Sequence, residues 1–189
     1  MRKSAILLVL ILASCVREGQ APTRQDDACA ILSQRPGWLR DMRKSEAVWG
    51  APISVQMAII WKESSFRARA KTRRTFVLGS IPTGRISTAY GFAQALDGTW
   101  GDYQDATNSR GARRSDFGDA TDFIGWYMSE SNRRLGLQMT DAYNQYLAYH
   151  QGQGGYRSGS YRGQTWLLNV ARQVQNRANL YESQLADCS

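Results

Sequence analysis

The stretch Pro52-Ile53-Ser54-Val55-Gln56-Met57-Ala58-Ile59-Ile60-Trp61-Lys62-Glu63 decides how this chain is read. Proline fixes a backbone angle suited to the first turn of a helix, where its missing N–H is no loss. The nearly continuous apolar run that follows predicts a helix buried on most sides. That buried helix ends on a carboxylate. Glu63 comes after Met57-Ala58-Ile59-Ile60-Trp61, surroundings in which an unpaired charge is costly. Burial against apolar groups raises a carboxyl pKa, and a Glu that stays protonated near neutral pH can serve as a general acid. A plainer alternative is a helix-end salt bridge from Glu63 to Lys62, Arg67 or Arg69. This stretch alone leaves both open.

Outward from it, helical patterns dominate. Trp38 to Trp49 carries Trp38, Leu39, Met42 and Val48 at amphipathic spacing. Asp97 is placed to cap a helix running to Ala106, and Asp116 or Asp119 to open one carrying Phe123, Trp126, Tyr127 and Leu135, with Gly136 at its end. Thr140 is placed to cap a helix bearing Tyr143, Tyr146, Leu147 and Tyr149 that stops at Gly152. Residues 152–163 read as a Gly-rich loop, and a last helix runs from about Gln164 to Leu185. Residues 71–90 break the pattern. Thr72, Thr75, Val77, Gly79, Pro82, Gly84 and Ile86 suit an irregular excursion or a β-hairpin. The fold class is therefore mainly α, or α+β with helices dominant.

The N-terminus reads as a targeting segment. Arg2 and Lys3 precede an apolar run, Ala5 to Ala13, too short to span a bilayer. Leu12-Ala13-Ser14-Cys15 then resembles the lipobox of bacterial lipoproteins. The resemblance implies a signal peptide over 1–14, a lipid on Cys15, and a membrane partner through that anchor. With Val16 rather than Asp after the Cys, it implies an outer-membrane lipoprotein facing the periplasm. Residues 15–28 are polar and read as a tether, so the domain spans 29–189. Cys29 and Cys188, an even pair in an exported chain, read as a disulfide, with two free thiols as the alternative.

Across its 189 residues the chain has 24 Lys and Arg against 16 Asp and Glu, a net charge of +8 that drops to +6 without Arg2 and Lys3. Such a balance suits nucleic acid, anionic lipid or an anionic wall polymer. No dense basic arm is visible, so nucleic acid is not expected. A single His and no clustered Cys argue against a metal, and no phosphate-cradling loop appears. No cofactor is expected.

Three motifs run in order along the chain, the first beginning at Glu63. They are Glu63-Ser64-Ser65-Phe66, then Gly91-Phe92-Ala93-Gln94, then Ala148-Tyr149-His150-Gln151-Gly152-Gln153-Gly154. Together they resemble the lytic transglycosylases of the soluble (SLT) type, which share the lysozyme-like fold, over roughly residues 50–180. The resemblance implies an enzyme acting on peptidoglycan glycan strands, and a monomer is expected. It implies Glu63 as catalytic acid and base, Ser64 as an orienting residue, and Gln94 and Tyr149 lining the glycan site. Phe92-Ala93 and His150-Gln151 depart from the family pattern, and the 63–91 interval is longer than usual. Tyr90, Phe92, Trp100, Tyr103, Tyr149 and Tyr156 are candidates to stack on sugar rings, with Tyr90 and Tyr149 preferred.

A single carboxyl implies attack by the muramoyl C6 hydroxyl on C1 of its own ring, leaving a 1,6-anhydro product. A hydrolytic muramidase on the same fold needs a second carboxylate, for which Asp97 is a candidate. A non-catalytic peptidoglycan-binding lipoprotein is the other alternative.

Overall fold

A computed structural model describes residues 20–77 and 81–188. The signal peptide expected over 1–14 and the lipidation expected at Cys15 lie outside the described residues. Among the described residues, seven helices and one hairpin follow in order: α1 (Ala28–Gln34), α2 (Pro36–Trp49), α3 (Ile53–Ser64), β1 (Arg74–Val77), β2 (Ile81–Arg85), α4 (Asp97–Thr107), α5 (Phe117–Leu135), α6 (Ala142–Ser158) and α7 (Thr165–Cys188). The domain is mainly α, as expected, and the excursion after α3 is an antiparallel hairpin pairing Arg74 with Arg85 and Val77 with Ile81.

The central helix is α3. Met57, Ala58, Ile59 and Ile60 are fully buried, which is why the sequence there shows no polar face. It packs on α7 and α2, while α2 packs along α5. Gln56 is buried with them. Its amide donates to the carbonyls of Met42 (3.2 Å), midway along α2, and Ala51 (2.7 Å), just past its C-cap, and so pins α2 and the turn after it to α3. At the other end of α3, Trp38 stacks on Phe117 with ring centroids 3.9 Å apart, and Phe66 and Phe92 close around the pair.

The α2–α5 contact is close because Gly125 lets it be. A Cβ at Gly125 would lie 2.4 Å from Ser45 Oγ and 2.7 Å from Trp49 Cδ1. Both neighbours are held in place, Ser45 donating to the Thr121 carbonyl (2.7 Å) and Trp49 to Asp122 (2.8 Å). Gly125→Ala is therefore expected to destabilise the fold by about 1–3 kcal/mol, although alanine is the better helix former. Urea unfolding measures this, and an unchanged or higher midpoint would contradict it.

Cys29 and Cys188 are bonded, with Cα atoms 5.6 Å apart across a sequence separation of 159. Other expectations need correction. Residues 20–27 do not hang free as a tether. Gln25 donates to the Ser65 carbonyl (3.1 Å), while Arg177 and Tyr181 of α7 donate to the Gln25 carbonyl. Gln184 of α7 accepts from Ala28 N (2.8 Å) and donates to the Asp26 carbonyl (3.1 Å). Long-range side-chain partners thus satisfy a backbone whose local sequence shows no pattern. Among the described residues, one buried core runs from Ala28 to Leu185 and the two half-cystines bridge its ends, as in a domain able to fold alone.

The helix ends also differ in detail. Leu96, not Asp97, holds the extended N-cap position of α4. Asp97 occupies the first turn, where the helix dipole favours a carboxylate, and pairs with Arg114 at 2.7 Å. Asp141, one residue past Thr140, caps α6 by accepting from Asn144 N at 3.0 Å. Gly152 kinks α6 at φ 73° instead of ending it, and the helix continues to Ser158. Asp116 caps α5 and Gly136 ends it, as expected.

Candidate active site

The chain reverses sharply behind Glu63. Ser65 (φ 51°) and Phe66 (φ 57°) are successive non-glycine residues in the left-handed region, a conformation that costs about 1–3 kcal/mol per residue. Three anchors hold it. Phe66 is fully buried against Trp38, Gln25 grips the Ser65 carbonyl, and Arg67 Nε donates to the Ser64 carbonyl at 2.9 Å. Ser64 is buried, and its hydroxyl donates to the Ile60 carbonyl (3.1 Å) within α3. It therefore fixes the helix end that carries Glu63 instead of reaching outward.

Glu63 keeps a minority of its surface open to solvent while protein closely surrounds its carboxyl. Burial raises its pKa to about 7, against weaker opposition from the Tyr146 hydroxyl and the Lys62 charge. No ion pair joins Glu63 to Lys62, Arg67 or Arg69 among the described residues. Lys62 reaches Gln173 instead (3.1 Å). Tyr146 and Tyr149, three apart on α6, both turn toward Glu63. The Tyr146 hydroxyl pKa is raised by burial and then by the Glu63 charge, and that of Tyr149 is raised by the same two causes. Each therefore stays a neutral donor in the working pH range. Tyr149 donates to the Ala93 carbonyl at 2.6 Å, and its ring meets Tyr127 edge-on at 5.1 Å.

That Ala93 contact ties α6 to the 90–95 loop. Gly91 there has φ 82°, and a Cβ on it would lie 1.9 Å from the Arg114 carbonyl, so only glycine fits. Gln94 (φ 48°) donates its amide to the carbonyls of Ala70 (3.0 Å) and Gly91 (2.8 Å). Both amide protons thus hold the loop, leaving Gln94 Oε1 as the atom that can meet a ligand. Tyr90 is partly exposed, with the Lys71 ammonium and the Arg114 guanidinium each 5.4 Å from its ring centre. Arg114 also donates to the carbonyls of Thr88 (3.1 Å) and Ala95 (2.8 Å).

Three segments, around Glu63, around Ala93–Gln94 and around Tyr149, are thus linked in space. A family model for the transglycosylase SLT domain matches residues 3–188. The chain belongs to the transglycosylase SLT-domain family. Membership supports lytic transglycosylase activity on peptidoglycan, and the helical structure agrees with a lysozyme-like SLT domain. No curated protein matches the chain.

In this SLT domain several sugar-stacking candidates turn out to be core. Phe92, Trp100 and Tyr103 are at most 6% exposed and pack among aromatic neighbours. Tyr156 stacks on Tyr161 at 5.0 Å and donates to Asn144 (2.8 Å). His150 is exposed and meets Trp166, itself 55% exposed, edge-on at 5.2 Å. Tyr146 is not singled out by the sequence, which shows it only among the residues borne by its helix. Its three-residue spacing from Tyr149 was the available signal, because such residues share a helix face. Among the described residues, no group of three or more His, Cys, Asp or Glu is gathered to hold a metal ion.

Proposed function

We propose that this SLT domain cleaves the β-1,4 bond between N-acetylmuramic acid and N-acetylglucosamine, with Glu63 as its single acid and base. The observation that carries the reading is a carboxyl held near pKa 7 at the end of a buried helix and faced by two neutral tyrosines. Protonated Glu63 donates to the glycosidic oxygen as the C1–O bond breaks. The resulting carboxylate takes the proton of the muramoyl C6 hydroxyl as that oxygen bonds to C1. The product ends in 1,6-anhydromuramic acid, and water does not enter the balance. The nucleophile belongs to the same sugar, so orientation lowers much of the barrier. Tyr146 lies beside the carboxyl. Tyr149 steadies the 90–95 loop, which offers Gln94 Oε1 and the Tyr90 ring to the glycan, and Ser64 fixes the helix end.

The muramidase alternative needs a second carboxylate. Asp97 is exposed and engaged by Arg114, which favours the single-carboxyl route. We further propose a monomer anchored through Cys15 to the outer membrane and facing the periplasm, from the lipobox reading.

Mass spectrometry of purified peptidoglycan digested with residues 20–189 tests the reaction. Anhydro ends are expected. Reducing ends would mean a muramidase, and an undigested wall would leave a binding protein. The pH profile gives a second check. Cleavage requires protonated Glu63, so kcat/KM is expected to be level below about pH 7 and to fall tenfold per unit above it. Dye release from labelled peptidoglycan measures this, and a rate that rises through pH 7 would contradict it.

A further inference from the structure

The structure gathers cations that lie far apart in the sequence. A hollow of about 600 Å³ is lined by Arg35, Arg40, Arg69 and Arg113, with Asp41 and Asp116 as its acidic groups. A second, of about 640 Å³, shares Arg69 and adds Arg67 and Lys71, with no acidic residue in its lining. Neither includes Glu63, Tyr146 or Tyr149. Arg40, Arg67, Arg69, Lys71 and Arg113 are exposed. Arg40 and Arg113 each have one carboxylate neighbour, at 3.0 and 3.8 Å, while Arg69 is in no ion pair among the described residues. Arg35 is fixed by donating to the carbonyls of Gln34 (3.0 Å) and Gln20 (2.5 Å), yet its buried Nε has no partner.

Gln20, where the described chain begins, is part of the lining of the second hollow. Cys15 lies five residues earlier, and five residues span at most ~17 Å. A lipid on Cys15 would therefore bring a bilayer to this side of the domain. Positive charge this close to a membrane draws anionic headgroups, within the reach that salt screening allows.

We propose that the Arg35–Arg40–Arg69–Arg113 hollow and its Arg67–Lys71 extension form a docking surface for anionic phospholipid headgroups. The two hollows admit phosphates, and the cations pair with them. Phe92 lines the first hollow while the next residue, Ala93, holds Tyr149. Docking here thus sets the orientation of the catalytic site relative to the membrane. The inference goes beyond the proposed reaction. It shares with that reading only the anchor, and the test leaves the anchor out.

Residues 20–189 are sedimented with vesicles of phosphatidylethanolamine containing a minority of phosphatidylglycerol, and with pure phosphatidylcholine vesicles. Binding to the anionic vesicles alone, weakening as salt rises, is expected. Arg40→Gln/Arg69→Gln/Arg113→Gln is expected to weaken that binding on the order of 100-fold, with melting temperature and peptidoglycan cleavage unchanged. If the triple variant does not fold, Arg69→Glu alone is expected to weaken binding about 10-fold or more. Equal binding by variant and wild type would overturn the proposal, as would no preference for anionic vesicles. A variant that loses affinity for insoluble peptidoglycan but not for vesicles would also overturn it and assign the face to the anionic stem peptides of the wall. A wild-type domain that binds anionic vesicles without cleaving peptidoglycan would sink the reaction and leave this surface standing.

Discussion

Glu63→Gln is expected to leave a folded domain whose cleavage of peptidoglycan is slower by roughly 1000-fold or more, because in the proposed reaction one group serves as both acid and base. The same variant is expected to be the more stable protein at alkaline pH. The folded pKa of Glu63, about 7, lies above its ordinary value of 4.5, so the unfolded chain ionises first. Below about pH 4.5 the carboxyl is protonated in both states and wild type and variant melt alike. As pH rises from 4.5 to 7 the wild type loses stability relative to the variant, and above 7 the gap levels at about 3 kcal/mol, or roughly 6–12 °C in melting temperature. Activity and melting curves at pH 5 and pH 8 check both halves. An active variant would remove Glu63 from the chemistry. A stability gap independent of pH would mean that the carboxyl is not penalised by burial.

Loss of the Cys29–Cys188 bond carries the largest expected effect on stability. The bridge closes a loop across 159 positions, which the chain-entropy model values at about 5 kcal/mol. Its partners explain why the native state needs the tie. The short helix α1 and residues 20–27 are held to α7 largely by side chains of Gln184, Arg177 and Tyr181. Cys29→Ala/Cys188→Ala is expected to melt roughly 10–20 °C lower than wild type. Calorimetry with and without reductant tests it. Melting within a degree or two of wild type would mean that packing alone closes the ends.

What the sequence reveals about this fold follows from how local each feature is. The buried helix α3, the amphipathic α2 and α7, the hairpin and the cap at Asp116 each arise from contiguous patterns, and the structure has them. Glu63 stands out for the same reason, as a carboxylate at the end of an apolar run. Features made by tertiary approach are not legible. Tyr146 reads as an ordinary core tyrosine until α6 comes to the end of α3. Gln94 reads only as a groove residue, and that its amide protons also hold the loop emerges only in three dimensions. Phe92, Trp100 and Tyr103 look like sugar platforms in one dimension and are core in three. The basic face is assembled from Arg35, Arg40, residues 67–71 and Arg113, so its charges look scattered along the chain. Asp97 and Thr140 are ambiguous because several polar residues near a helix start can serve as the cap.

The central claim is that this fold keeps one carboxyl protonated near neutral pH at the end of α3. Its most direct test is a carbon-13 NMR titration of the Glu63 side-chain carboxyl in residues 20–189, with Glu63→Gln used to assign the resonance. A midpoint near 7 is expected. A midpoint at the ordinary value of 4.5 would contradict it, because Glu63 would then be ionised when it is needed to donate a proton.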